Sequence, residues 1–125
     1  MRTLKLQVQI SIDGFIAGTN GEMDWLVWNW DDELKNYVKE LTSGIDCIVM
    51  GRKLADGFIP YWANVAQNPE DEQLEFATIM HETHKIVFTK TLETSDWKNT
   101  EITNGDLVEE ITELPPFIWT EMWYK

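Results

Sequence analysis

The apolar run Ile48-Val49-Met50 ends abruptly in Gly51-Arg52-Lys53, where a helix-forming stretch begins. A glycine at such a junction lets a ligand approach the backbone closely, and the first N–H groups of a helix lack intrahelical partners and favour anions. Two cations beside them suit the junction to phosphate. Further along, Thr89-Lys90-Thr91 follows a second apolar run with hydroxyls and another cation, while Asp13, Asp31 and Asp32 supply carboxylates that can carry a proton. Each group also has a plain structural reading. Gly51-Arg52-Lys53 can be a strand-to-helix turn with solvated cations, Asp13-Gly14 a turn signal, Asp31 and Asp32 helix-start charges, and Thr89-Lys90-Thr91 an ordinary loop.

Other reactive residue types form no comparable set. His81 and His84 are three apart, but the chain has two histidines and one cysteine, too few for a histidine–cysteine metal set. Cys47 lies in an apolar run with no histidine near it in sequence and reads as a small buried residue rather than a nucleophile. Trp25, Trp28 and Trp30 can line a pocket for a flat ring or plug a core.

The elements that must position these groups are legible from periodicity. Residues 4–12 alternate strictly, with Leu4, Leu6, Val8, Ile10 and Ile12 apolar and Lys5, Gln7, Gln9 and Ser11 polar, which predicts a first strand. Gly14, Gly18 and Gly21 then mark a loop. Asn29 or Asp31 can cap a helix with Leu34, Tyr37, Val38 and Leu41 on one face. Residues 46–50 and 85–89 read as short buried strands, and residues 52–58 as a short helix closed by Gly57 and Pro60. Pro69, Glu70 and Asp71 predict a helix start, with Leu74, Ala77 and Met80 facing inward. Residues 100–103 read as a strand, and Asp106 as the cap of a helix showing Leu107, Val108, Ile111 and Leu114. Strands alternating with helices predict a largely parallel sheet.

Composition sets the outer limits. The chain has 125 residues, of which 43% are hydrophobic, so one domain with a real core is expected. With 22 acidic and 10 basic residues its formal charge is −12, a field that disfavours nucleic acid and anionic lipid and obliges any anionic cofactor to use a local basic pocket. The lone cysteine and the lack of a long apolar run suggest a reducing cytoplasm and no membrane span.

The order of these pieces resembles the dihydrofolate reductase-like superfamily, especially its bacterial branch related to the reductase domain of the riboflavin-pathway deaminase-reductase. The matching residues are Gln9-Ile10-Ser11-Ile12-Asp13-Gly14-Phe15-Ile16-Ala17, Gly21-Glu22-Met23-Asp24-Trp25, Met50-Gly51-Arg52-Lys53 and Val87-Phe88-Thr89-Lys90-Thr91. The resemblance implies an α/β, three-layer fold with a mostly parallel central sheet over residues 1–114. It also implies an NADPH-dependent reductase of a small heterocyclic substrate, of pterin or pyrimidine type. Gly51, Arg52 and Lys53 would then hold cofactor phosphates, Thr89, Lys90 and Thr91 would reach the adenosine end, and Ala17 would contact the cofactor from a closing loop. Trp25 would face the substrate. Asp13 matches the family's substrate-side aspartate, and Asp31 or Asp32 falls near the carboxylate that folate reductases carry on their first helix.

One departure stands beside these matches. The family's Gly-Gly turn after a further strand has no counterpart, since the last glycine is Gly105, and residues 115–125 form an apolar, aromatic tail unlike the family. The expectation is a sheet incomplete at its C-terminal end, whose open edges favour a homodimer. The alternative function is a catalytically silent or truncated family member acting as a binding or self-associating protein.

Overall fold

Two apolar runs that do not alternate, around Val49 and around Ile86, become neighbouring strands, as continuous runs in parallel sheets do. The computed structural model describes residues 3–27 and 29–114. The apolar tail at 115–125 and Trp28 lie outside the described residues. The element order is α1 (Asp32–Thr42), β1 (Cys47–Gly51), α2 (Arg52–Val65), α3 (Leu74–Glu82), β2 (His84–Phe88), β3 (Thr100–Thr103) and α4 (Leu107–Glu113). The strands form one sheet in the order β1-β2-β3, parallel throughout. The α/β architecture expected from the sequence is therefore present. By its contacts the chain divides into two compact units, Met1–Leu41 and Thr42–Lys125.

The second unit holds the sheet and its core. Register places Met50 beside Val87, and both pack with Ala55 and Ile59 of α2, with Ile48, Phe58 and Trp97 around them. Trp62, one turn beyond Phe58, stacks edge-on against Phe58, Tyr61 and Phe76, with centroids 6.1, 4.9 and 5.0 Å away. Phe76 belongs to α3, so one buried indole joins the two helices.

Several elements differ from the sequence reading. The helix expected to close near Gly57 and Pro60 runs on through Pro60 to Val65. Pro60 lacks one N–H, but the buried positions Ala55, Ile59, Trp62 and Val65 keep a continuous apolar stripe across it, and packing outweighs that lost hydrogen bond. The helix expected from Pro69 starts instead at Leu74. Before it, residues 68–73 make turns in which the Asn68 and Asp71 side chains accept from the backbone N–H groups of Glu70 and Gln73, an alternative these residue types offer to helix. Ala77 and Met80 do face inward. On α1 Val38 is buried, whereas Leu34, Tyr37 and Leu41 are exposed. The α4 helix is capped by Asp106 as expected, yet buries none of its residues.

The largest difference concerns residues 4–12. No strand forms there among the described residues, and all five apolar side chains of the alternating row are exposed, Leu6 at 93%. Alternation is a demand for a partner strand and a face to cover; it does not provide either.

Trp62→Ala should destabilise the fold by about 3–5 kcal/mol, because it empties the joint between α2 and α3. Chemical denaturation followed by circular dichroism measures this.

Candidate functional site

The site is built on the C-terminal ends of β1 and β2. Gly51 is the last residue of β1 and the residue preceding α2, and its register partner is Phe88, the last residue of β2. Parallel pairing therefore brings Gly51-Arg52-Lys53 and Thr89-Lys90-Thr91 to one edge of the sheet. This is the edge where ligands of open α/β sheets lie. Phe88 in turn pairs with Thr103, so β3 ends at the same edge.

The junction at Gly51 has three features that no packing within the chain accounts for. Its φ of −82° and ψ of 159° are open to any residue, and a Cβ built on it meets nothing within 4 Å, so neither strain nor crowding calls for glycine. The N-terminus of α2 has no side-chain cap and no acidic residue in its first turn. Arg52 and Lys53 sit instead where the helix dipole disfavours cations. Arg52 Nη1 donates to Asp56 Oδ2 at 2.5 Å, one turn along an exposed surface. Lys53 and Lys90 make no hydrogen bond or ion pair among the described residues. Open space over a glycine, free helix N–H groups and unneutralised cations together fit a phosphate-bearing ligand.

The loop after β2 is more ordered than its composition suggests. Thr89 N donates to Thr103 O at 2.9 Å, which continues the ladder by one residue. Thr89 is buried, and its Oγ1 accepts from the N–H groups of Thr91 and Leu92 at 3.2 and 3.1 Å, forming a turn that leaves Lys90 exposed at its tip. Beside it, Thr103 Oγ1 donates to Glu110 Oε1 at 2.8 Å and accepts from Gly105 N at 3.1 Å, a brace the sequence reading did not find. Asp56 was also missed there, although its spacing of four from Arg52 is a visible signal.

The remaining predicted residues lie in the first unit. Asp13 is exposed in a turn where Gly14 adopts φ 87°, and its Oδ1 accepts from Ser11 Oγ at 2.5 Å. Ala17 is half-buried ahead of a second turn, in which Asn20 donates through its side-chain amide to Glu22 at 2.7 Å. That amide, with the backbone N–H groups of Glu22 and Asn20, holds the Glu22 carboxyl below its ordinary value. Trp25 is half-buried, and its Nε1 is shielded from water without a hydrogen-bond acceptor. Asp31 caps α1, its Oδ1 accepting from Leu34 N at 2.8 Å, with Asp32 the first helical residue. Among the described residues no group of three or more His, Cys, Asp or Glu could hold a metal ion, and no helix is long and apolar enough to cross a membrane.

At the opposite edge of the sheet, the chain spends a lysine on structure. Lys85 is 1% exposed, and its ammonium donates to the carbonyls of His81 and Thr83 at 2.9 and 2.5 Å, at the end of α3 where a cation is favoured. Burial still lowers its pKa from 10.5 to about 8, with Glu82 opposing that shift. Between about pH 8 and 10.5 the unfolded chain therefore binds more protons at this site than the folded one. The stability contributed here rises with pH through that window and is constant below it. Lys85→Met should remove this rise, seen as a pH-dependent difference between denaturation curves of the two proteins.

A family model described as the RibD C-terminal domain matches residues 2–115. The chain is also similar to YyaP, an uncharacterized protein of Bacillus subtilis (strain 168), with 29% identity over 123 residues that cover 98% of this chain and 61% of the relative. It thus spans about three-fifths of that relative's length.

Proposed function

The chain belongs to the RibD C-terminal domain family, and on that premise we propose that it is an NADPH-dependent reductase, with residues 1–114 as the reductase-like domain, acting in the cytoplasm on a small heterocyclic substrate of pterin or pyrimidine type. The observation that carries this reading is the Gly51 junction, with its open space, its uncapped helix start and its cations in a chain of formal charge −12. When bound, NADPH supplies the hydride. The protein's share is positioning. The N–H groups at the start of α2, with Arg52 and Lys53, hold cofactor phosphate, while Lys90 and the Thr89 and Thr91 hydroxyls address the adenosine end. Ala17 contacts the cofactor from its loop, and the Trp25 indole offers its shielded N–H to a substrate acceptor. Asp13 and Asp31 are the proposed catalytic carboxylates. Each has Oδ1 engaged, by Ser11 and by Leu34 N, which orients the carboxyl and leaves its second oxygen for a proton.

The alternative is a catalytically silent family member that binds or self-associates, a reading favoured by the exposed apolar row at residues 4–12. Titration of the intact chain with NADPH, followed by tryptophan fluorescence, tests the reductase reading. A saturable change is expected, and none at millimolar cofactor overturns the binding claim. Gly51→Val sharpens the test because backbone and space both accept it. The thermal midpoint should stay near that of the parent, while affinity falls roughly tenfold to a hundredfold through lost charge-assisted hydrogen bonds.

A further inference from the structure

We propose that residues 4–12 of this chain pair antiparallel, about Val8, with the same residues of a second copy. The even positions of the segment form an uncovered apolar row, from Leu4 at 71% exposure to Ile12 fully exposed, and residues 3–10 join no strand among the described residues. Backbone N–H and C=O groups there are likewise without a ladder. An apolar row and an open ladder on one segment ask for a strand as partner.

The pattern of the segment says which strand fits. Turned about Val8, Leu4 comes opposite Ile12 and Leu6 opposite Ile10, so apolar faces apolar along the whole length. Lys5 then faces Ser11, and Gln7 faces Gln9, on the other side. A slip of one residue sets apolar against polar at every position, so the register is specified by the sequence itself. Each strand is the other's complement, which is the requirement of a two-fold interface.

Charge points to the same segment. The first twelve residues carry Arg2 and Lys5 and no acid, whereas the chain as a whole has 22 acidic and 10 basic residues. Copies meeting on other surfaces bring acid against acid. Copies meeting here bring together two weakly basic strands, each attracted by the acidic remainder of its partner. A two-stranded ribbon is marginal by itself, and its shared apolar face stays partly wet, so the association is weak and rises with protein concentration.

The register can be read by crosslinking. In a Cys47→Ser background, single cysteines are placed at exposed positions and oxidised with oxidised glutathione. Val8→Cys should form a covalent dimer, Leu4→Cys and Ile12→Cys alone should not, and an equal mixture of those two should. Sedimentation of the intact chain over a dilution series should show a dimer that Val8→Lys abolishes, with helix content unchanged by circular dichroism. A monomer at every concentration overturns the proposal. So does crosslinking of Leu4→Cys with itself, which signifies parallel pairing, or a dimer that persists undiminished in Val8→Lys.

Discussion

The candidate site depends on the parallel pairing of β1 with β2 in one register. Met50 beside Val87, held under Ala55 and Ile59, is the contact that sets it. Val87 and Ala55 are completely buried, so a slip along the strand has no alternative apolar place to put them. Because the strands are parallel, their C-terminal ends emerge together. The Gly51 junction and the Thr89 turn are neighbours by topology, before any loop has taken a shape. Antiparallel pairing of the same two strands would send them to opposite ends of the sheet.

The two helices flanking β1 and β2 show the same electrostatic rule used in opposite ways. At the end of α3, carbonyls need donors, and the chain supplies them: Lys85 donates to His81 and Thr83, Asn99 Nδ2 donates to Glu82 O, and Thr83 donates to Ile79 O. That end is closed, although it takes a buried ammonium to close it. At the start of α2, N–H groups need acceptors, and neither a cap nor a first-turn acid supplies them. Cations stand there instead. A chain rich in aspartate and glutamate that places none of them in this turn has left an anion's position open, and that contrast supports a phosphate more than the glycine does by itself.

What the sequence made legible follows how local each signal is. Gly51 at a strand end, Asp31 and Asp106 as caps, and the apolar strands around Val49 and Ile86 rest on a few adjacent residues, and the structure has them all. Elements whose fate depends on distant partners were read less well. Pro60 is a strong local stop, yet Trp62 and Val65 beyond it find a core to enter, and α2 continues. Pro69 to Asp71 carry good helix-start chemistry, but the Asn68 and Asp71 side chains take backbone donors into turns and delay α3 to Leu74. Lys85 looked like an ordinary strand residue, because nothing in its neighbourhood along the chain announces that α3 will end above it. Residues 4–12 have the clearest period in the chain and no strand in the structure. Period reports which face wants covering and is silent about what covers it.

That asymmetry separates the proposed chemistry into two parts. The cationic wall at Gly51, Arg52, Lys53 and Lys90 stands on a sheet with its own core. Asp13, Ala17, Trp25 and Asp31 stand on the first unit, where Val38 is the one apolar residue that is buried among those described. A site on a packed scaffold is preformed, whereas a site on a body without its own core takes its geometry from whatever completes that body. Holding a phosphate and transferring a hydride to substrate are therefore different demands on this chain. Binding needs the second unit alone, since helix N–H groups and cations at one sheet edge suffice. Transfer needs the carboxylates and the indole fixed to within a fraction of an ångström of the reacting atoms, and that precision belongs to the part of the molecule whose apolar residues remain uncovered.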